Sequence, residues 1–509
     1  MKHRFSNTLL LASASLLAAA TFAQADEALN KIKNVVVIYA ENRSFDNLYS
    51  TFPGANGLQN ITADQVKQLD RDGKPLAELP QTWGGMTAKG VVPAVAETDT
   101  AHLVNSTFNI DDAKHFNLPT KVATRDMWHR FYQNQMQIDG GKNDKFAAWT
   151  DAGGVVMGVY DGSQLPLWSV AKKYVLADNF YQAAFGGSFL NHFELICACV
   201  GKYPNVETSP AKGLIVSVED DGVTLKTKAD SPASAIAGAP KFESDGAITP
   251  DGYAVNTMQP PYQPSANKPV AGGDQALADP SAPNTMPPQT MPHIGDLLSQ
   301  KNVTWGWYAG AWQATLDGTA VTPAPIFQFH HQPFNYFADM APGTPMRAEH
   351  LKDGGINGEA FLKDIDAGKL PEVSFYKPQG NLNEHPGYAE IASGDQHIAD
   401  IVSHLEKSPQ WNNMLVVITY DENGGFYDHA APPKADRFGP GSRVPALIIS
   451  PFAKMGTVDH TLYDTTSILR FITKRYDLPV LEGLATRDAA LKANNQPPLG
   501  DLTQALNLN

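Results

Sequence analysis

The chain has 509 residues, a formal net charge of −14 and 42% hydrophobic residues. Such an acidic balance excludes nucleic acid and anionic membranes as main partners, although a bound cation and histidines can still make one site attractive to an anion. The length suffices for a large core, and the two cysteines, Cys197 and Cys199, exclude a disulfide-stapled scaffold; one residue apart, they are expected as two small buried thiols.

The first residues, Met1-Lys2-His3-Arg4, precede an apolar stretch from Leu9 to Phe22 and then Ala23-Gln24-Ala25. A basic start, a short apolar centre and an A-x-A end describe a secretory signal peptide, with cleavage expected after Ala25 and a periplasmic or secreted product. No later segment is apolar enough to read as an integral membrane span. Residues 26–509 read as one domain with loop-rich insertions at about 61–100 and 201–292.

Asn34 to Ala40 is an uncharged β-branched run that reads as a buried strand, followed by Glu41-Asn42 and a short helix over Ser44–Tyr49. Asp126 to Ile138 reads as a helix ending near Gly140-Gly141. Leu167–Tyr174 reads as a helix and Val175–Tyr181 as a strand, leading into Gly186-Gly187-Ser188 and an apolar helix over Phe189–Val200. Residues 201–292 are rich in Pro, Ala, Gly, Ser and Asp, with one hairpin expected near Leu214–Leu225. Helix and strand then alternate: Ile294–Gln300, Thr304–Ala309, Gly358–Ala367, Val373–Tyr376, Asp395–Lys407, Met414–Tyr420, Val444–Ser450 and Asp464–Tyr476. This alternation implies an α/β fold, a mostly parallel central sheet covered by helices on both faces.

Two buried strands end in oxygen donors: Glu41-Asn42 after the first, and Asp421-Glu422-Asn423-Gly424-Gly425 after Met414–Tyr420. Open α/β sheets bind ligands at the carboxyl ends of their strands, and such oxygens suit one hard divalent metal ion of unspecified identity. Taken singly, each pair reads as turn chemistry or solvated acids; together they favour a metal centre. Ser188 sits at a strand-to-helix turn, where glycines permit close approach and backbone N–H groups favour a phosphate. Most serines in such turns are structural, and no G-x-S-x-G elbow surrounds this one. His330-His331, His385 and His129 lie in loops and suit anion binding and proton transfer, although any one alone is more often structural. His429 and His460 are expected in structural hydrogen bonds near Asp428 and Asp464. The aromatic residues around His330-His331 are expected mostly in the core.

Glu41-Asn42-Arg43-Ser44-Phe45-Asp46, Gly140-Gly141-Lys142-Asn143-Asp144, Gly187-Ser188, His330-His331, His385-Pro386 and Tyr420 through His429 together resemble the bacterial phosphoesterase family, which holds respiratory-burst-inhibiting acid phosphatases and large phospholipases C. The likeness runs from Asn34 to Tyr476. It implies an alkaline-phosphatase-like core and one divalent metal ion held by Glu41, Asn42, Asp421 and Glu422, with Ser188 as the remaining ligand and nucleophile. His129, His330, His331 and His385 would surround the phosphoryl oxygens, with phosphate held by Asn42, Ser188, His129, His331 and His385. His102 or His115 could stand in for His129. The chain's length, and Ser188 where the phospholipases carry threonine, resemble the acid phosphatase branch.

These readings lead to an expected phosphomonoesterase working through a phosphoserine, with an acidic optimum if the histidine cluster holds protons. A phospholipase C cleaving lipid headgroup diesters is the alternative. A sulfatase is disfavoured because neither Cys197-Ala198-Cys199 nor Ser188-Phe189-Leu190 offers the C/S-x-P-x-R context. An exported phosphate-binding protein without catalysis would leave Ser188 idle.

Overall fold

The computed structural model describes residues 28–320 and 326–508. The expected signal peptide lies outside the described residues. Eight strands form the central sheet: β1 (Asn34–Ala40), β2 (Val175–Ala177), β3 (Trp305–Gly310), β4 (Leu351–Gly355), β5 (Val373–Lys377), β6 (Met414–Tyr420), β7 (Ala446–Ile449) and β8 (Thr457–Asp459). Their order is β8-β2-β7-β6-β1-β5-β3-β4, and only β7 runs antiparallel to its neighbours. Every residue of β1 and β6 is buried, so both faces of the sheet's centre are covered. That explains why these strands are continuous runs of Val, Ile and Leu rather than alternating patterns.

Eight helices matter for the site and its cover: α1 (Phe45–Tyr49), α2 (Phe131–Ile138), α3 (Pro166–Lys173), α4 (Ser188–Cys197), α5 (Ile294–Gln300), α6 (Glu359–Asp366), α7 (Ile391–Lys407) and α8 (Thr466–Arg475). α7 packs on both α3 and α6, while α4 packs on both α5 and α8. α7 buries Ile391, Ile398, Ile401, Val402 and Leu405 along one stripe, the spacing of an amphipathic helix. Fully burying each such side chain stabilises the fold by about 1.5–3 kcal/mol relative to leaving it in water. The α/β expectation, a mostly parallel sheet flanked by helices, is therefore met. No helix among the described residues is long and apolar enough to cross a membrane.

The structure departs from the sequence reading in several places. The helix expected from Asp126 begins only at Phe131, because Asp126 and Asp151 side chains accept the Met127 and Trp128 amides and hold that stretch extended. The helix after Ser188 stops at Cys197, where Ala198 turns left-handed at φ 47°. That turn brings Cys197 and Cys199 to a Cα separation of 5.1 Å, and they form a disulfide instead of two thiols. His429 bonds to Asp46 rather than Asp428, at 2.7 Å, and His460 bonds to Asp178 rather than Asp464, at 2.8 Å. Residues 201–292 contain short 3-10 turns and isolated bridges, Val218 with Leu225 among them, yet bury Val216, Leu225, Ile248, Met258 and Met286.

Candidate active site

The register of the central strands sets the site. Ala40 of β1 pairs with Tyr420 of β6, so Glu41 and Asp421 leave the sheet side by side. Asn42 follows in the left-handed region at φ 61°, a conformation asparagine tolerates better than most residues, and its amide donates to Asp421 Oδ1 at 3.2 Å. Gly424 lies against this turn; a Cβ there would run into the Asn42 carbonyl, and its φ of 62° favours glycine independently. The two motifs are thus built to pack on each other.

The rest of the Glu41–Asp46 motif anchors the surroundings. Arg43 is buried and donates to the Glu384 carbonyl at 3.1 and 2.7 Å, fixing the loop that carries His385. Ser44 caps α1 and bonds to the Tyr427 carbonyl at 2.7 Å. Asp46 receives Arg443 at 3.0 Å, and Arg443 also holds Asp428 at 3.0 Å. Asn143, from the Gly140–Asp144 motif, donates to the carbonyls of Asp428 and Ala430 at 2.9 and 3.0 Å, so that motif braces the loop rather than lining the site.

Ser188 opens α4, and its Oγ lies 3.4 Å from Asn42 Oδ1. Gly187 has no Cβ because the His129 carbonyl stands where one would go, 2.8 Å away. That close approach seats His129 beside the serine. His129 Nδ1 donates to the Met127 carbonyl at 2.6 Å, and Nε2 stands 3.5 Å from Asn42 Nδ2 and 3.8 Å from Glu422 Oε1. Burial works against its protonation, but the carboxylates of Glu422 and Asp126 prevail and raise its pKa to about 9. His102 and His115 pair instead with Glu78 and Asp112, which leaves His129 as the histidine of this site.

His330, His385, His129 and Ser188 line one cavity of about 330 Å³, joined by Arg130 and Tyr388. His331 does not line it. Its Nε2 turns to Glu41 Oε1, and His192 stacks on its ring. Burial pushes the pKa of His330 well below that of a free imidazole and that of His331 to about 4. Burial thus opposes protonation of His330 and His331, whereas the neighbouring carboxylates favour it at His129.

Three residues close to these groups escaped the sequence reading. Lys377, the last residue of β5, is fully buried, with Nζ 2.7 Å from Glu41 Oε1 and 3.6 Å from Asp421 Oδ2. His192, one turn after Ser188 on α4, hydrogen-bonds to the Ser188 carbonyl at 2.7 Å and lies 3.9 Å from Asp421 Oδ2. Tyr388 donates to Glu41 Oε2 at 3.2 Å. A charged residue ending an otherwise apolar strand, and a histidine four residues after the serine on its helix, were the available signals.

The carboxylates have the character of a metal site. Asp421 Oδ2 and Glu422 Oε1 are buried without a well-aligned hydrogen-bond donor, and Glu41 Oε1 has only the Lys377 ammonium and the His331 ring beside it. Burial pushes the Asp421 and Glu422 carboxyls up from their ordinary range; it would do the same to Glu41, but His331 and Lys377 reverse that and hold it well below. Buried acidic oxygens lacking donors are what a hard divalent cation satisfies. Glu41, His330 and His331 also offer ligand atoms within 4.8 Å of one another, as do Asp126, His129 and His385. The acidic and histidine clusters can therefore hold a metal ion.

Comparison with known proteins finds relatives named phospholipase C. It is 25% identical to the non-hemolytic phospholipase C of Pseudomonas aeruginosa over 94% of its own length and 58% of that protein. It is 22% identical to phospholipase C A of Mycobacterium tuberculosis strain H37Rv over 94% of the chain and 78% of the relative. The match to the Burkholderia pseudomallei non-hemolytic phospholipase C is 28% identical and covers 42% of the chain and 37% of the relative. The chain thus spans little more than half the length of the Pseudomonas protein and less of the Burkholderia one. Among solved structures, a protein in the alkaline phosphatase superfamily from Vibrio parahaemolyticus is similar over 75% of this chain and 74% of that one, at 10% identity and a TM-score of 0.32. The Phosphoesterase family model matches residues 32–479, and the chain belongs to the Phosphoesterase family.

Proposed function

We propose that this chain is an exported, metal-dependent phosphatase that hydrolyses phosphomonoesters through a phosphoserine on Ser188. One observation carries the reading: Ser188 opens a ten-residue helix at the floor of a small cavity walled by His129, His330 and His385, with Asn42 at hydrogen-bonding distance behind it. The preceding signal-like residues support export, and the chain reads as one domain with its two insertions.

Glu41, Asn42, Asp421 and Glu422, with Ser188, would hold one divalent ion. When bound, it lowers the pKa of the serine hydroxyl and neutralises charge on phosphorus-bound oxygens. The protein's own groups do the rest. The N–H groups at the start of α4 and His385 orient the phosphoryl oxygens. Ser188 Oγ attacks phosphorus in line with the leaving oxygen; the new O–P bond forms as the ester O–P bond breaks. His129, its ring fixed by the Met127 carbonyl, protonates the leaving alkoxide. Water then attacks the phosphoserine as a cavity histidine takes its proton; the Oγ–P bond breaks, inorganic phosphate leaves, and that histidine returns the proton to Ser188 Oγ. Positioning and charge complementarity account for most of the rate.

The cavity favours monoesters over lipid diesters. At about 330 Å³ it is at the small end for ligand sites, and its named walls are polar apart from Phe189. The second reading, a phospholipase C, is favoured by the names of relatives that cover 94% of the chain. Side-by-side turnover of phenyl phosphate, bis-aryl phosphate and phosphatidylcholine vesicles decides between them. Monoester turnover at least tenfold above the other two is expected; headgroup release from phosphatidylcholine as the dominant activity overturns the monoesterase reading.

A further inference from the structure

We infer that Lys377 is the fixed second cation of this centre, taking the place of a second metal ion between Glu41 and Asp421 and limiting the site to a single divalent ion. The inference rests on the metal-dependent reading above and deepens it.

The side chain of Lys377 is fully buried, and its Nζ stands between carboxylates on two different strand ends, 2.7 Å from Glu41 Oε1 and 3.6 Å from Asp421 Oδ2. The aromatic ring of Tyr39 lies below it, 5.1 Å from Nζ to the centroid. The register makes this position obligatory. β5 lies beside β1, with Ile38 paired to Tyr376, so the following residue of β5 emerges level with the end of β1. A buried ammonium is costly to desolvate, and it is tolerated only where opposite charge is close. Here it is close on two sides.

Two-metal phosphoryl-transfer sites hold their cations about 3.5–4 Å apart, bridged by carboxylates. An ammonium within reach of both Glu41 and Asp421 fills one of those places without being exchangeable. It also sets the charge balance. Glu41, Asp421 and Glu422 contribute three negative charges when ionised; among these groups Lys377 and one divalent ion match them, whereas a second divalent ion beside the lysine would leave two positive charges in excess. Asn42, Ser188, Asp421 and Glu422 then remain as the natural grouping for the exchangeable ion. Glu41 is shared with the lysine and with His331.

The test counts metal. Purified full-length protein, stripped with a chelator and titrated with Mn²⁺, is followed by calorimetry and by elemental analysis after desalting. Wild type should retain one ion per chain, with the electron paramagnetic resonance signal of isolated Mn²⁺. Lys377→Met should retain two and show a spin-coupled pair, and Lys377→Arg should stay at one. If Lys377→Met fails to fold by circular dichroism, Lys377→Gln and the wild-type count still decide. Two tightly held ions in wild type, or one in a folded Met or Gln variant, overturn the inference while leaving the phosphatase reading in place. No ion retained by wild type overturns the metal-dependent reading itself.

Discussion

Ser188 Oγ and Asn42 Oδ1 lie 3.4 Å apart, although 146 positions separate them in the chain. The first residue of α4 is therefore presented directly to the turn that ends β1. Ser188→Ala removes the hydroxyl and little else, since the α4 start depends on Gly187 and on backbone contacts. Turnover of 4-nitrophenyl phosphate should fall about 10³-fold or more, with an unchanged circular dichroism spectrum and melting temperature. A variant retaining full activity removes Ser188 from the chemistry.

Removing the metal should act on both stability and rate. With Asp421 and Glu422 buried and short of donors beside Glu41, a strong chelator should lower the melting temperature and abolish turnover. Readdition of a divalent ion should restore both. Calorimetric melts alongside initial rates measure this, and an unchanged melt with unchanged turnover would contradict the site's assignment.

The role given to His129 can be separated from simple binding by the leaving group. His129→Gln should slow hydrolysis of phenyl phosphate about 10²-fold or more, because that phenoxide needs a proton. The loss should shrink to within tenfold for 2,4-dinitrophenyl phosphate, whose leaving group departs unprotonated. Equal losses on the two esters would assign His129 to binding.

Glu194, on α4 two turns beyond Ser188, gives a pH signature of its own. Burial raises its pKa to about 8, against an ordinary value of 4.5, with Arg487 only partly opposing. The folded chain therefore holds this proton more tightly than the unfolded chain. Its contribution is full below about pH 4.5, declines as pH rises, and levels off above about pH 8. Glu194→Gln should be more stable than wild type at pH 8.5, by on the order of 3 kcal/mol, and near equal at pH 4.5. Urea melts at the two pH values read the difference.

The Arg443 network is structural and should respond as such. Asp428→Ala leaves Asp46 as the carboxylate partner of the buried guanidinium, beside the Asn56 and Asp178 carbonyls, and removes a carboxylate held on three sides. The expected loss is roughly 3–5 kcal/mol, measured by urea denaturation. Metal content of the folded fraction should be unchanged, because none of these atoms faces Glu41 or Asp421.

Much of this site was legible because its parts end buried strands. The runs before Glu41 and Asp421 contain no charge, so the first polar residues after them had to mark the strand ends where ligands bind. Ser188 was legible from the glycines before it. A histidine pair does not say which ring faces which neighbour; in the structure His331 packs beside Glu41, whereas His330 lines the cavity. Lys377 was missed because the strand Val373–Tyr376 was ended one residue early, and a lysine there reads as solvated until register buries it. The disulfide was missed because spacing alone could not show that Ala198 would adopt a left-handed turn. The helix expected from Asp126 failed for a similar reason: its first residues are held by side chains distant in sequence.

Asn256 and Thr257, both from the stretch 201–292, stand on the wall of the Ser188 cavity, and Asn256 also accepts the Phe131 amide at 3.0 Å. The carboxylates come from sheet ends and Ser188 from the start of α4, while part of the cavity wall comes from a segment without an α-helix or a multi-residue strand. Under the proposed phosphatase reading, exchanging that segment would change ester preference and leave Ser188 and the carboxylates in place. Chimaeras that transplant it should carry selectivity with them and leave the chemical step behind.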